Sequence, residues 1–206
     1  MGSVLGFLLL FPIFMMAVVV HEVSHGCVAL VLGDRTALVA GRLTLNPFKH
    51  IDPVGTFLLP LLLVFIRAPF VFGWAKPVPV NVMNLHSPKR DIFWVGAAGP
   101  AANFSLAILV AVLLKAIGAA APLWLMVGAK YLILINLVLG IFNLIPIPPL
   151  DGSRILTGLL PSRFAKQVLS LERWGTLLVV ILLAFGFIDK VLQPLVSFLA
   201  KLLGVS

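Results

Sequence analysis

Residues 4–32 read VLGFLLLFPIFMMAVVVHEVSHGCVALVL, a long apolar run interrupted by His21-Glu22-Val23-Ser24-His25. At ~1.5 Å per residue in a helix the run is long enough to cross a hydrocarbon core of ~30 Å. Positions i and i+4 of a helix share a face, so His21 and His25 can offer two imidazoles to one metal ion. Glu22 projects beside them, where a carboxylate can take a proton from a water on that metal. Ionisable side chains in hydrocarbon are costly and mark function by default. The pattern points to a zinc hydrolase whose chemistry lies below the membrane surface.

The composition agrees. Of 206 residues, 61% are hydrophobic and 11% charged, and the mean hydropathy is +1.16, far from a soluble balance. The net charge of +8 is scattered between apolar segments, which suits loops flanking membrane helices better than a nucleic-acid surface. A single cysteine, Cys27, excludes a disulfide framework and a Cys-based zinc knuckle; it reads as a small packing residue. No Lys or Arg precedes the first apolar run, which continues through the metal motif, so a retained membrane helix is expected rather than a cleaved signal peptide.

Outward from this helix, Gly33-Asp34 ends it, and Thr36–Leu45 alternates with β-branched character, predicting a short membrane-associated β-hairpin around Gly41-Arg42. Residues 53–66 are apolar but too short to span, which fits a re-entrant segment or broken helix. Residues 73–90 are polar and Pro-rich. Asp91–Ala116 and Pro122–Ile145 read as further spans, Trp174–Ile188 as another, and 190–204 as a shorter segment that spans or lies on the surface. The expected fold is an all-α polytopic membrane protein of about 5–6 membrane helices in one domain, residues 1–206. A catalytic core covers about 4–155, and C-terminal helices cover about 156–206.

A catalytic zinc usually has three protein ligands and an open position. His50, His86 and Asp52 lie among loop and turn residues. The better placed third ligand is Asp151, which follows a membrane run directly in Asn143–Gly152, where prolines break the helix and Gly152 permits a tight turn. The alternative is that Asp151 caps the helix that follows. For Asp151 to meet His25, the first span and the 122–145 span must run in the same direction, with 91–116 opposed. That parity places Arg35, Arg42, Lys49, Arg67, Lys76, Lys89, Arg90, Arg154, Arg163, Lys166 and Arg173 on one face, with Lys115 and Lys130 near the other. The crowded face is then cytoplasmic, and the site opens toward the cytosol of a cell membrane.

These residues together resemble the site-2 proteases, intramembrane zinc metalloproteases of peptidase family M50, over roughly residues 15–155. The resemblance rests on His21-Glu22-Val23-Ser24-His25-Gly26, on Asn46-Pro47 with His50-Ile51-Asp52-Pro53, on Gly99-Pro100-Ala101-Ala102-Asn103, and on Asn143 through Gly152. No stretch suits a PDZ or CBS module, as in the compact members. The resemblance implies one Zn2+ per chain held by His21, His25 and Asp151, with Glu22 as base and acid. It implies that Asn103 and Asn143 orient substrate or bond the oxyanion, unless they are helix-packing amides. Gly99 and Pro100 would permit close helix approach, and His50 and His86 read as loop residues. The expected substrate is a transmembrane protein, unwound locally so that its peptide bonds become accessible; an exposed hairpin edge at 36–45 offers a place for it to pair. Two other classes use the same residues: an ion-handling transporter or channel, and an inactive scaffold that binds transmembrane segments. Glu22 separates both from a protease.

Overall fold

The computed structural model describes residues 4–66 and 73–205, and all the regular secondary structure among them is helical. Three helices are long and apolar enough to cross a membrane: α1 (Val4–Val31), α4 (Pro88–Ile117) and α5 (Leu123–Asn143). Between the first two lie α2 (Thr36–Val39), a π-helical turn at Pro53–Leu58 and α3 (Leu59–Phe65); α6 (Asp151–Leu159), α7 (Ser162–Ser170), α8 (Glu172–Ala184) and α9 (Gln193–Leu202) follow α5.

The direction of the three spans follows from which ends meet. Pro12 and Ile13 share a groove with Ile117 at the end of α4 and Trp124 at the start of α5. His25, near the other end of α1, meets Val95 early in α4 and Asp151 just beyond α5. α1 and α5 therefore run parallel and α4 runs against them, the parity that the Asp151 reading requires. Arg67, one of the cations expected on the crowded face, lies outside the described residues.

The expected β-hairpin at 36–45 is not seen. Asp34 accepts from the Thr36 amide at 3.0 Å and from its hydroxyl, which starts a helical turn where the alternating pattern suggested a strand. Gly41, at φ +64°, then closes that turn, with the Gly41 amide on Leu38 O and the Arg42 amide on Ala37 O, as left-handed glycine caps do. Local capping wins over β-propensity because no strand among the described residues lies alongside to supply a ladder. Without an edge here, the expected pairing of substrate with 36–45 also falls.

The count of about 5–6 membrane helices is not confirmed: by length and composition the described residues give three spans, or up to four if a bent pair counts as one. That pair is α7 and α8, which meet at 64°; the expected span at 174–188 falls on α8, which ends at Ala184 after 13 residues. The 190–204 segment resolves into a π-helical turn at Ile188–Leu192 and the ten-residue α9, which is about 15 Å at ~1.5 Å per residue and well under a membrane. Pro53–Phe65 is a short apolar helix, capped by the Asp52 carboxylate on the Val54 and Gly55 amides.

α9 packs on α5, and its Val196 and Ala200 join one buried cluster with Ala107 and Ala111 of α4 and Ile133 and Leu137 of α5. In lipid, apolar burial gives little gain between helices, so the small alanines matter by letting backbones approach. α8 places Val179 and Leu183 against Leu150, with Ile145 and Ile147 packed on them, and so braces the linker that delivers Asp151.

Asp34 ties the exit of α1 to the chain before α4, since it also accepts from the Asn81 amide at 2.7 Å and the Asn84 side chain at 3.0 Å. Burial pushes its carboxyl pKa up, but these bonds and those from Thr36 outweigh it and hold the group below the ordinary carboxylate value. A depressed carboxylate pKa stabilises the fold above the unfolded value, and that stability is lost as pH falls. Asp34→Asn should therefore cost about 1–3 kcal/mol at pH 7, with the difference from the parent shrinking below about pH 4. Thermal unfolding in detergent micelles across pH checks this; a pH-independent difference counts against it.

Candidate metal centre

Three acidic or imidazole side chains converge between α1, α4 and the start of α6: His21, His25 and Asp151. All three are buried. His21 Nε2 and His25 Nε2 lie 3.1 Å apart, and Asp151 Oδ2 is 3.0 Å from the first and 3.1 Å from the second. Tetrahedral ligands at ~2.0–2.1 Å from zinc stand about 3.3 Å from one another, so the triangle matches a zinc site with one vertex left over. The donor chemistry fits as well, because two imidazoles and a carboxylate form a common catalytic set.

Each donor is oriented from behind. His25 Nδ1 donates to the Val95 carbonyl at 2.6 Å, and His21 Nδ1 donates to Asn103 Oδ1 at 2.6 Å. Both acceptors can only accept, so the Nδ1–H tautomer is required and each Nε2 lone pair faces the centre. Asp151 Oδ1 pairs with Arg154 at 3.4 Å, which turns Oδ2 toward the imidazoles. Asp151 does not cap α6: the N-cap, Leu150, makes no side-chain cap bond.

The backbone makes room for this convergence. A Cβ on Gly99 would fall 2.4 Å from His25 Nε2 and 2.6 Å from His21 Nε2, so only a residue without a side chain lets α4 lie against both rings. Gly152 turns under the end of α5, where a Cβ would meet Leu144 O at 2.2 Å. Glu22 is half-buried, and its Oε2 accepts from the Val78 amide at 2.8 Å.

The other candidates separate. Asn103 is fully buried and bonds His21, the Ala17 carbonyl and Asn136. Asn143 donates to the Leu139 carbonyl of its own helix at 3.0 Å. His50 is buried with Nε2 on the Thr44 carbonyl, His86 is exposed over Gly33, and Cys27 is exposed; none joins the cluster. The residues that sequence reasoning passed over are Asn136, Arg154 and the Val78 amide. Only Asn136 carried a signal, as an amide inside the apolar run LILINLVLG.

The profile of Peptidase family M50 matches residues 119–186. The chain is 38% identical over 184 residues to the Bacillus subtilis (strain 168) protein named "Putative zinc metalloprotease YwhC", covering 86% of this chain and 80% of that one. The chain belongs to peptidase family M50. This M50 chain is also 30% identical over 200 residues to a Rip2 protein of Mycolicibacterium smegmatis, covering 97% of itself and 76% of the relative. A third relative, zinc metalloprotease MJ0392 of Methanocaldococcus jannaschii, is 32% identical over 104 residues, or 50% of this chain and 30% of that one. No solved structure matches. The M50 chain is thus a zinc metalloprotease of the site-2 protease family and, with its apolar helices, a multi-pass membrane protein.

Proposed function

We propose that this peptidase hydrolyses peptide bonds in or near transmembrane segments of membrane proteins. The convergence of His21, His25 and Asp151 carries the reading: three buried donors about 3 Å apart, supplied by a membrane span and by the residue cluster just past another. Those three would hold one zinc ion. Zinc bound there supplies Lewis acidity, which acidifies water and polarises the scissile carbonyl. Glu22 takes the proton from the attacking water and returns it to the leaving amine. The Val78 amide holds Glu22 Oε2, which leaves proton transfer to Oε1. Asn103 serves to hold His21, and Asn143, the last residue of its span, is the better placed amide to meet a substrate carbonyl.

One domain, residues 1–206, would do this, with a core at about 4–155 and the C-terminal helices bracing it. A helical substrate must unwind before its backbone can reach the centre. The stretch after α1 exposes Val39, Leu45 and Phe48, which suits a shallow seat in the membrane interface, and Pro53–Phe65 suits a re-entrant segment beside it. The cationic loops at the metal end support a cytoplasmic opening.

The test uses purified protein in liposomes with synthetic transmembrane peptides, products being mapped by mass spectrometry. Cleavage within or beside the apolar segment is expected, lost on chelation and restored by zinc. Cleavage confined to soluble unfolded chains, or cleavage untouched by chelation, would overturn the reading.

A further inference from the structure

An asparagine near the middle of an apolar span needs a reason. Asn136 of α5 is fully buried, and its own helix satisfies its amino group, which donates to the Leu132 carbonyl at 2.8 Å. That bond fixes the amide and aims Oδ1 across the interface, where it accepts from Asn103 Nδ2 at 2.8 Å. The Ala17 carbonyl, at 3.3 Å, takes a bond from the same Nδ2. Asn103 Oδ1 is thereby directed at His21 Nδ1, 2.6 Å away.

We infer that Asn136 is a positioning residue for the metal centre, acting through Asn103 to hold His21 in its metal-binding tautomer. The inference rests on the proposed role of His21 as a zinc ligand. The chemistry is that of an amide with two different ends. Were Asn103 turned over, its amino group would face His21 Nδ1 and favour an imidazole with Nε2–H, which has no lone pair for a metal. The turned amide would also set its oxygen against Asn136 Oδ1 and the Ala17 carbonyl, acceptor against acceptor. Asn136 therefore makes one of the two orientations unfavourable. His25 needs no such device, because its acceptor is the Val95 backbone carbonyl, which cannot turn over. Sequence spacing gives no hint of this link, since the three side chains come from three separate helices.

The test measures zinc affinity of the purified full-length protein by competition with a chelator of known affinity, beside the 15N shifts of the His21 imidazole. Asn136→Leu and the smaller Asn136→Ala should each weaken zinc binding about 10–100-fold, the range for groups that orient a ligand, and shift His21 away from the Nδ1–H form. Asn136→Asp, protonated at this depth, keeps a carbonyl for Asn103 and a donor for Leu132, and should bind zinc within a few-fold of the parent. Should Asn136→Leu fail to fold, the comparison of Ala with Asp carries the test. Parental affinity and His21 shifts in the Leu and Ala variants would overturn the inference. His21→Ala is run alongside: if it loses zinc while the Asn136 variants do not, only the Asn136 role falls. If it binds zinc as the parent does, the metal-site reading falls and this inference with it.

Discussion

Glu22→Gln is expected to abolish proteolysis and leave zinc in place. The substituted side chain keeps the length of glutamate and an oxygen that can accept from the Val78 amide, so the 2.8 Å bond and the packing around it survive. What is lost is the basic carboxylate, since a carboxamide neither takes a proton from water near neutral pH nor returns one to an amine. Loss of a general acid–base group costs about 10²–10⁴ in rate, and here one residue serves in both directions. Metal analysis should give one zinc per chain in parent and variant alike, with cleavage of a transmembrane peptide in liposomes falling by at least the lower figure. A variant that cleaves as well as the parent removes Glu22 from the mechanism. In cells, full-length membrane proteins that accumulate with Glu22→Gln and not with the parent identify substrates.

Gly99→Ala should empty the metal centre by a single methyl group. The added carbon would stand 2.4 Å from His25 Nε2 and 2.5 Å from His21 Cε1, more than half an ångström inside van der Waals contact with both rings. Neither ring can yield easily: His25 is held by the Val95 carbonyl from the same helix α4, and His21 is held by Asn103, also on α4. Retreat of α4 would carry those acceptors away, so either response disturbs the three-donor triangle. Zinc affinity should fall by more than the 10–100-fold typical of a lost orienting group, with activity falling in step. Gly128→Ala is the control within the spans, because a Cβ there meets nothing within 4 Å. It should keep zinc and gain slightly in helix stability. Equal zinc content in the two variants would show that α4 can move without cost to the site.

Much of this was legible from residue order. The long apolar runs place α1, α4 and α5 to within a few residues, because a span must satisfy its own backbone in lipid and so obeys length and hydropathy alone. The pair His21 and His25 is visible for the same reason, as a helix sets their spacing. Asp151 was reached by elimination and by parity, and its position just after a span made the parity argument possible. The region 36–45 misled because its alternation is real, but a strand needs a neighbour to pair with, and Asp34 offered a local cap instead. The C-terminal spans misled because 174–188 and 190–204 are apolar, yet α8 ends at Ala184 and a π-helical turn precedes the ten-residue α9, and such breaks depend on packing partners.

By itself, then, the order of residues determined a membrane-crossing α1 with two imidazoles on one face, a carboxylate beside them, and a second carboxylate at the mouth of a later span. Periodicity and hydropathy are local properties, and they suffice for that much. Only the tertiary structure decided that Asp151 Oδ2 stands about 3 Å from both Nε2 atoms, that Gly99 clears the space, and that Asn103 and Asn136 set the orientation of His21. Those relations join chain segments tens of residues apart, and they exist only because helix packing closes the gaps between them.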